Sequence, residues 1–135
     1  MYQALLVFLA PLLQPSDRIR WFCLLLLVTL VTALLYFGSR PGMAVVFPYL
    51  LWDKLAHGVA FGGFAALGWI AMGGRSLWGP VLLAGMIGIL DEGMQYFSPF
   101  RTADLRDLVA DLTGALLVVL LLKVMRSRVV ACPRS

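Results

Sequence analysis

Charge is what this sequence most lacks. Lys, Arg, Asp and Glu make up 13% of its 135 residues, whereas 61% are apolar, and the mean hydropathy is +0.92. A soluble domain is about 45–50% apolar and about a quarter charged. At this length a water-exposed surface would need far more polar cover than the chain can supply. The composition excludes a soluble globular domain, a disordered chain, and nucleic-acid binding as a main role. Cysteine is almost as scarce: Cys23 and Cys132 are too few for a disulfide scaffold and lack the spacing of a metal-binding pair. There is one histidine, His57. No repeat or low-complexity tract is evident, and the length fits a single domain over residues 1–135.

What the chain has instead is long apolar runs. A bilayer-crossing helix needs about 20 mostly apolar residues, with about 17 as the lower limit. Four stretches qualify, at about 21–37, 53–72, 78–97 and 102–125, separated by short segments rich in Gly, Pro and polar residues. The expected fold is all-α, a polytopic membrane bundle of four transmembrane helices. The apolar segment Met1–Leu13 is too short to cross, has no basic residue ahead of it and does not read as a cleaved signal peptide. It is expected to lie as an interfacial helix on the inner leaflet, with a fifth, partial span as the alternative.

Arg18, Arg20, Arg75, Lys123, Arg126, Arg128 and Arg134 collect at one set of span ends, and Arg40, Lys54, Arg101 and Arg106 at the other. Seven basic residues against four place both termini in the cytoplasm, in a bacterial inner membrane. Trp21, Trp69 and Trp78 would then form the inner aromatic belt, with Tyr36, Tyr49, Trp52 and Tyr96 outside. Membrane lipids are the expected partners, anionic heads at the basic rim. Self-association through glycine-bearing faces is left open.

The acids sort more sharply: only Asp17 lies at the inner ends, while Asp53, Asp91, Glu92, Asp104, Asp107 and Asp111 lie at the outer ones. At about 100° per residue, Asp53 and His57 share a face of the second span. Asp91, Glu92 and Gln95 occupy an arc of about 100° on the third, and Asp107, Asp111 and Gly114 one of about 60° on the fourth. Polar groups within spans face the bundle interior or a wet cavity, so these faces should enclose an outward-facing polar pocket. Asp53, Asp104 and Asp107, in first helical turns, are also favoured there simply by the helix dipole. Asp91 and Glu92, near a helix C-terminus, have no such support and need a compensating cation or proton. Close helix packing is the plainer reason for Gly58, Gly62, Gly63, Gly85 and Gly88.

The run Asp53-Lys54-x-x-His57-x-x-x-Phe61, then Asp91-Glu92-x-x-Gln95-x-Phe97-x-Pro99-x-Arg101, then Asp107-x-x-x-Asp111-x-x-Gly114, resembles the VanZ-like family of small bacterial membrane proteins. Two positions depart from that pattern: Phe100 replaces a usual glycine and Asp111 a common asparagine. The resemblance implies a multi-pass membrane protein, and its founding member is linked to teicoplanin susceptibility. On this reading Asp53, Lys54, His57, Asp91, Glu92, Gln95, Arg101, Asp107 and Asp111 are the ligand-binding candidates. A cell-wall lipid intermediate or its phosphate headgroup is the favoured ligand. A metal-assisted enzyme on a lipid headgroup ranks second, with no catalytic residue assigned, and a proton or ion pathway third. No cofactor is required; a divalent cation, if held, would fall to Asp91, Glu92, Asp107 and Asp111.

Overall fold

The computed structural model describes residues 2–38, 50–99 and 103–131, and every regular element among them is helical. The helices are α1 (Tyr2–Leu13), α2 (Asp17–Gly38), α3 (Leu50–Ala71), α4 (Trp78–Tyr96) and α5 (Leu105–Ala131).

The boundaries follow local chemistry. Pro15 stands ahead of α2, which starts at Asp17, one turn earlier than the apolar run, with the acid favourably placed in the first turn. The last span begins at Leu105, not 102, because Asp104 caps it: Asp104 Oδ1 accepts the Arg106 N–H at 2.9 Å. It continues past residue 125 to Ala131, with Arg128 in its last turn.

The end of α3 is set by glycine. The Gly74 N–H donates to the Trp69 carbonyl at 2.8 Å and the Gly73 N–H to that of Ile70 at 2.9 Å, the paired bonds of a Schellman termination. Gly73 and Gly74 have φ of +83° and +71°, a conformation costly for residues with a Cβ. Arg126 of α5 secures this turn by donating to the Gly73 and Gly74 carbonyls at 2.8 and 2.5 Å. Arg20 of α2 reaches the Ala71 carbonyl at 3.1 Å.

α3 is the central helix, packed most extensively on α5 and also touching α2 and α4. Phe61, Ala65 and Trp69, at i, i+4 and i+8, form its fully buried stripe. Trp69 is therefore a core residue rather than part of an aromatic belt; its ring lies beneath the Arg126 guanidinium, 6.0 Å from the centroid. Cys23, a free thiol, and Leu27 supply the buried face of α2. α1 packs on α5, and Leu13 is 1% exposed within the core, so the C-terminal end of α1 is anchored in the bundle rather than lying clear of it.

Close packing drives helix association in lipid, and small residues permit it. Gly58, Gly62 and Gly114 provide that fit where α3 crosses α5: a Cβ on Gly114 would overlap the Gly58 backbone.

The outward faces are apolar. Leu25, Val28, Leu82, Met86, Ile89, Leu117 and Leu121 are all exposed. α2 and α5 are long and apolar enough to cross a membrane, and little of either is buried in the bundle. A core helix of a soluble protein would be covered; apolar surface on this scale calls for lipid. Of the four expected spans, α2 and α5 meet that measure, whereas α3 and α4 do not.

Candidate functional site

The buried stripes of α4 and α5 change character along their lengths. On α4, Val81, Ala84 and Ile87 give way to Asp91 and Gln95. On α5, Asp107 and Asp111 precede Ala115 and Val119. The helices run in opposite directions, so their polar halves meet at one end, where α3 contributes Asp53, Lys54 and His57.

Lys54 is the hub. Its Nζ donates to Asp104 Oδ2 at 3.0 Å and Asp53 Oδ2 at 3.4 Å, and to Asp107 Oδ1. Asp107 is buried, whereas Asp53 and Asp104 are about a third exposed. A buried carboxylate needs a partner, and the Lys54 ammonium reaches Asp107 from the facing helix. The backbone N–H of Arg106, and then Lys54, hold the Asp104 carboxyl below its ordinary value of 3.8.

One turn deeper, His57 Nδ1 lies 3.0 Å from Asp111 Oδ1. An ionised carboxylate only accepts, so toward Asp111 Nδ1 is the donor, and Nε2 is the ring nitrogen on the Asp107 side. Nε2 lies 3.9 Å from Asp107 Oδ2, too far for a hydrogen bond. Phe61 stacks on the imidazole with centroids 6.0 Å apart. Asp111 is 1% exposed, and its Oδ2 lies over Gly88, where a Cβ would come within 2.9 Å of it. Gly88 is thus the space that the Asp111 carboxylate occupies against α4.

α4 joins by two routes. Glu92 Oε2 accepts the Asp104 N–H at 2.7 Å, tying the end of α4 to the cap of α5. Gln95 Nε2 donates to Asp91 Oδ2 at 2.8 Å within the bundle, and Asp91 Oδ1 packs near Gly38 at the end of α2. Among the described residues at this end, Glu92 Oε1, Gln95 Oε1 and Asp111 Oδ2 are buried with no hydrogen-bond partner. All three are acceptors.

The structure therefore brings Asp53, Lys54, His57, Asp107 and Asp111 together across α3 and α5. Glu92 reaches them through Asp104, while Asp91 and Gln95 pair with each other on α4. Arg101 and Phe100 lie outside the described residues. Asp104, read from the sequence as an acid favoured by the helix dipole, is also a direct partner of Lys54. Its spacing ahead of Asp107, with an apolar run following, resembles a helix-capping pattern that could have marked it. The described residues able to converge on one metal ion are Asp53, His57 and Asp107, with ligand atoms within 4.8 Å of one another. That group shares only Asp107 with the metal set read from the sequence.

Compared with known proteins, the chain matches the sequence model of the VanZ/LLP1 family over residues 4–126. No curated protein and no solved structure matches it.

Proposed function

This chain belongs to the VanZ/LLP1 family, and from that premise we propose that it is a multi-pass protein of a bacterial inner membrane that binds a cell-envelope headgroup at its outward-facing acidic end. All four of α2–α5 cross the bilayer in this reading, with the termini and the Arg20 and Arg126 end in the cytoplasm. One observation carries the proposal: charged side chains from α3 and α5, steadied by α4, converge at one end of a bundle whose flanks are apolar. Charge inside a membrane is costly and usually marks a functional site.

The favoured ligand is a lipid-linked or phosphate-bearing headgroup. Lys54 is already shared among three carboxylates, so it is poorly placed to hold a phosphate alone. Recognition falls to Arg101, whose fork suits phosphate, or to a cation bridging the acids and the headgroup.

Full-length protein in nanodiscs, titrated with an isoprenyl phosphate, tests the binding. Saturable binding that Lys54→Met or Arg101→Ala weakens at normal protein level supports it; equal binding by wild type and both variants rejects it. Orientation is tested separately in a Cys23→Ser, Cys132→Ser background. Arg106→Cys should react with a membrane-impermeant maleimide added to intact cells, and protection there with reaction only after lysis would reverse the topology.

A further inference from the structure

We propose that His57 Nε2 and the carboxylates of Asp53 and Asp107 form a divalent-cation site, of the class that accepts one imidazole and two carboxylates, such as Mn²⁺ or Zn²⁺. The inference deepens the reading of this polar end as a ligand site, and rests on that reading.

Among the described residues, these three are the group whose ligand atoms converge. Their ligand atoms lie within 4.8 Å of one another, on the first two turns of α3 and the start of α5. Lys54 takes Asp53 Oδ2 and Asp107 Oδ1, which leaves Asp53 Oδ1 and Asp107 Oδ2 uncommitted to it. His57 Nε2 and Asp107 Oδ2 are 3.9 Å apart. Two ligands each about 2.1 Å from one metal lie about 3 to 4 Å from each other, so a gap too wide for a hydrogen bond is one that a shared ion fills.

The imidazole is already prepared for the role. A metal-binding histidine usually donates its other ring N–H to a carboxylate, which fixes the ring and raises its basicity. Asp111, fully buried on α5, lies 3.0 Å from Nδ1 and leaves Nε2 on the Asp107 side, 3.9 Å from its Oδ2.

A separate observation points to a cation rather than an anion. The unpartnered buried side-chain atoms among the described residues here are Asp111 Oδ2, Gln95 Oε1 and Glu92 Oε1, acceptors without exception. Gln95 is neutral, so this shortage of donors is not merely a count of acids. Buried acceptors without donors are stabilised by a cation and not by an anion. One imidazole with carboxylates favours a transition-type ion over Ca²⁺ or Mg²⁺, which prefer all-oxygen sites.

The test uses the full chain in detergent, stripped with EDTA and titrated with MnCl₂ while free Mn²⁺ is followed by electron paramagnetic resonance. The expected result is one saturable site per chain. His57→Gln and Asp107→Asn should abolish it, Asp111→Asn should weaken it about tenfold or more, and Asp17→Asn should leave it unchanged. Asp53→Asn should also weaken it, and because Asp53 is partly exposed this variant keeps the test decisive if Asp107→Asn does not fold. Absence of a saturable site, or wild-type binding by both Asp53→Asn and His57→Gln, overturns the proposal. Repeating the isoprenyl phosphate titration separates the two readings. Mn²⁺ binding without headgroup binding keeps the metal site and removes the headgroup. Headgroup binding that persists in EDTA and in Asp53→Asn, with no saturable Mn²⁺ site, does the reverse.

Discussion

The backbone of Gly58 on α3 lies directly against that of Gly114 on α5, with no room for a side chain between them. This contact fixes the register in which Lys54 meets Asp107 and His57 meets Asp111, because Gly114 follows Asp107 and Asp111 along one face of α5. Gly114→Ala must therefore part the helices. It should destabilise the protein by about 3 kcal/mol or more, at the upper end of overpacking costs, and lower the melting temperature in detergent. Gly62→Ala, which meets the Val118 methyl as well as Gly114, should cost less. Gly63→Ala, with open space around it, should be within about 0.5 kcal/mol of wild type.

Lys54 and Asp107 are expected to be strongly non-additive. Lys54→Met leaves the buried Asp107 without its cation, a change that costs about 3–5 kcal/mol for a buried pair. Lys54→Met with Asp107→Leu removes both charges and should recover much of that loss. A double-mutant cycle on thermal stability measures the coupling; simple addition of the two effects would show that the pair does not act as a unit.

Gly88→Ala probes the Asp111 position from the opposite helix. The new methyl would crowd Asp111 Oδ2, Leu108 and Phe61, displacing the carboxylate from His57. Stability should fall by about 1–3 kcal/mol, and the His57 ring resonances in a nuclear magnetic resonance spectrum should shift with it. Unchanged His57 resonances would count against the bond to Asp111.

Asp104 gives a pH dependence of known sign. Its folded carboxyl is held below the ordinary value of 3.8 by the Arg106 N–H and Lys54, so the ionised form stabilises the fold. That contribution is complete well above pH 3.8 and is lost as the pH falls through the lower folded value. Asp104→Ala should melt below wild type at pH 7, and the gap should close in strongly acidic buffer. A gap independent of pH would mean that the charge of Asp104 contributes nothing.

At the far end, Arg126→Met should lower stability by about 1.5–3 kcal/mol, since Arg126 makes charged hydrogen bonds to two carbonyls of the α3 termination. Gly74→Ala should also be destabilising, because its Cβ would meet both Arg126 and Trp69 at a positive φ. Thermal melts of the two variants check both.

Helical periodicity made much of this legible. It placed Asp53 with His57 and aligned Asp107, Asp111 and Gly114, and those faces do meet. The same reading took Gly58, Gly62 and Gly63 as close-packing residues; Gly58 and Gly62 are, whereas Gly63 has open space around it. Spacing along one helix says nothing of distance between helices, so it could not show that Asp53 and His57 approach Asp107 while Asp91 turns to Gln95. Trp69 looked like a belt residue because its place in the chain is near a span end; its burial comes from the way Arg126 and the glycine turn close over it. The Glu92 bond to the Asp104 N–H likewise depends on how the end of α4 meets the start of α5, which side-chain type alone does not specify.

The glycine seam between α3 and α5 has a mechanical corollary. Two backbones in direct contact cannot slide or spread without first breaking that fit, so these helices behave as a single strut carrying Lys54, His57, Asp107 and Asp111 in fixed relation. α4 meets the acidic end of that strut through the side chain of Glu92 and the cap of α5. α4 also bears on the strut where Gly88 seats the Asp111 carboxylate, so a change on α4 is felt at His57 through Asp111.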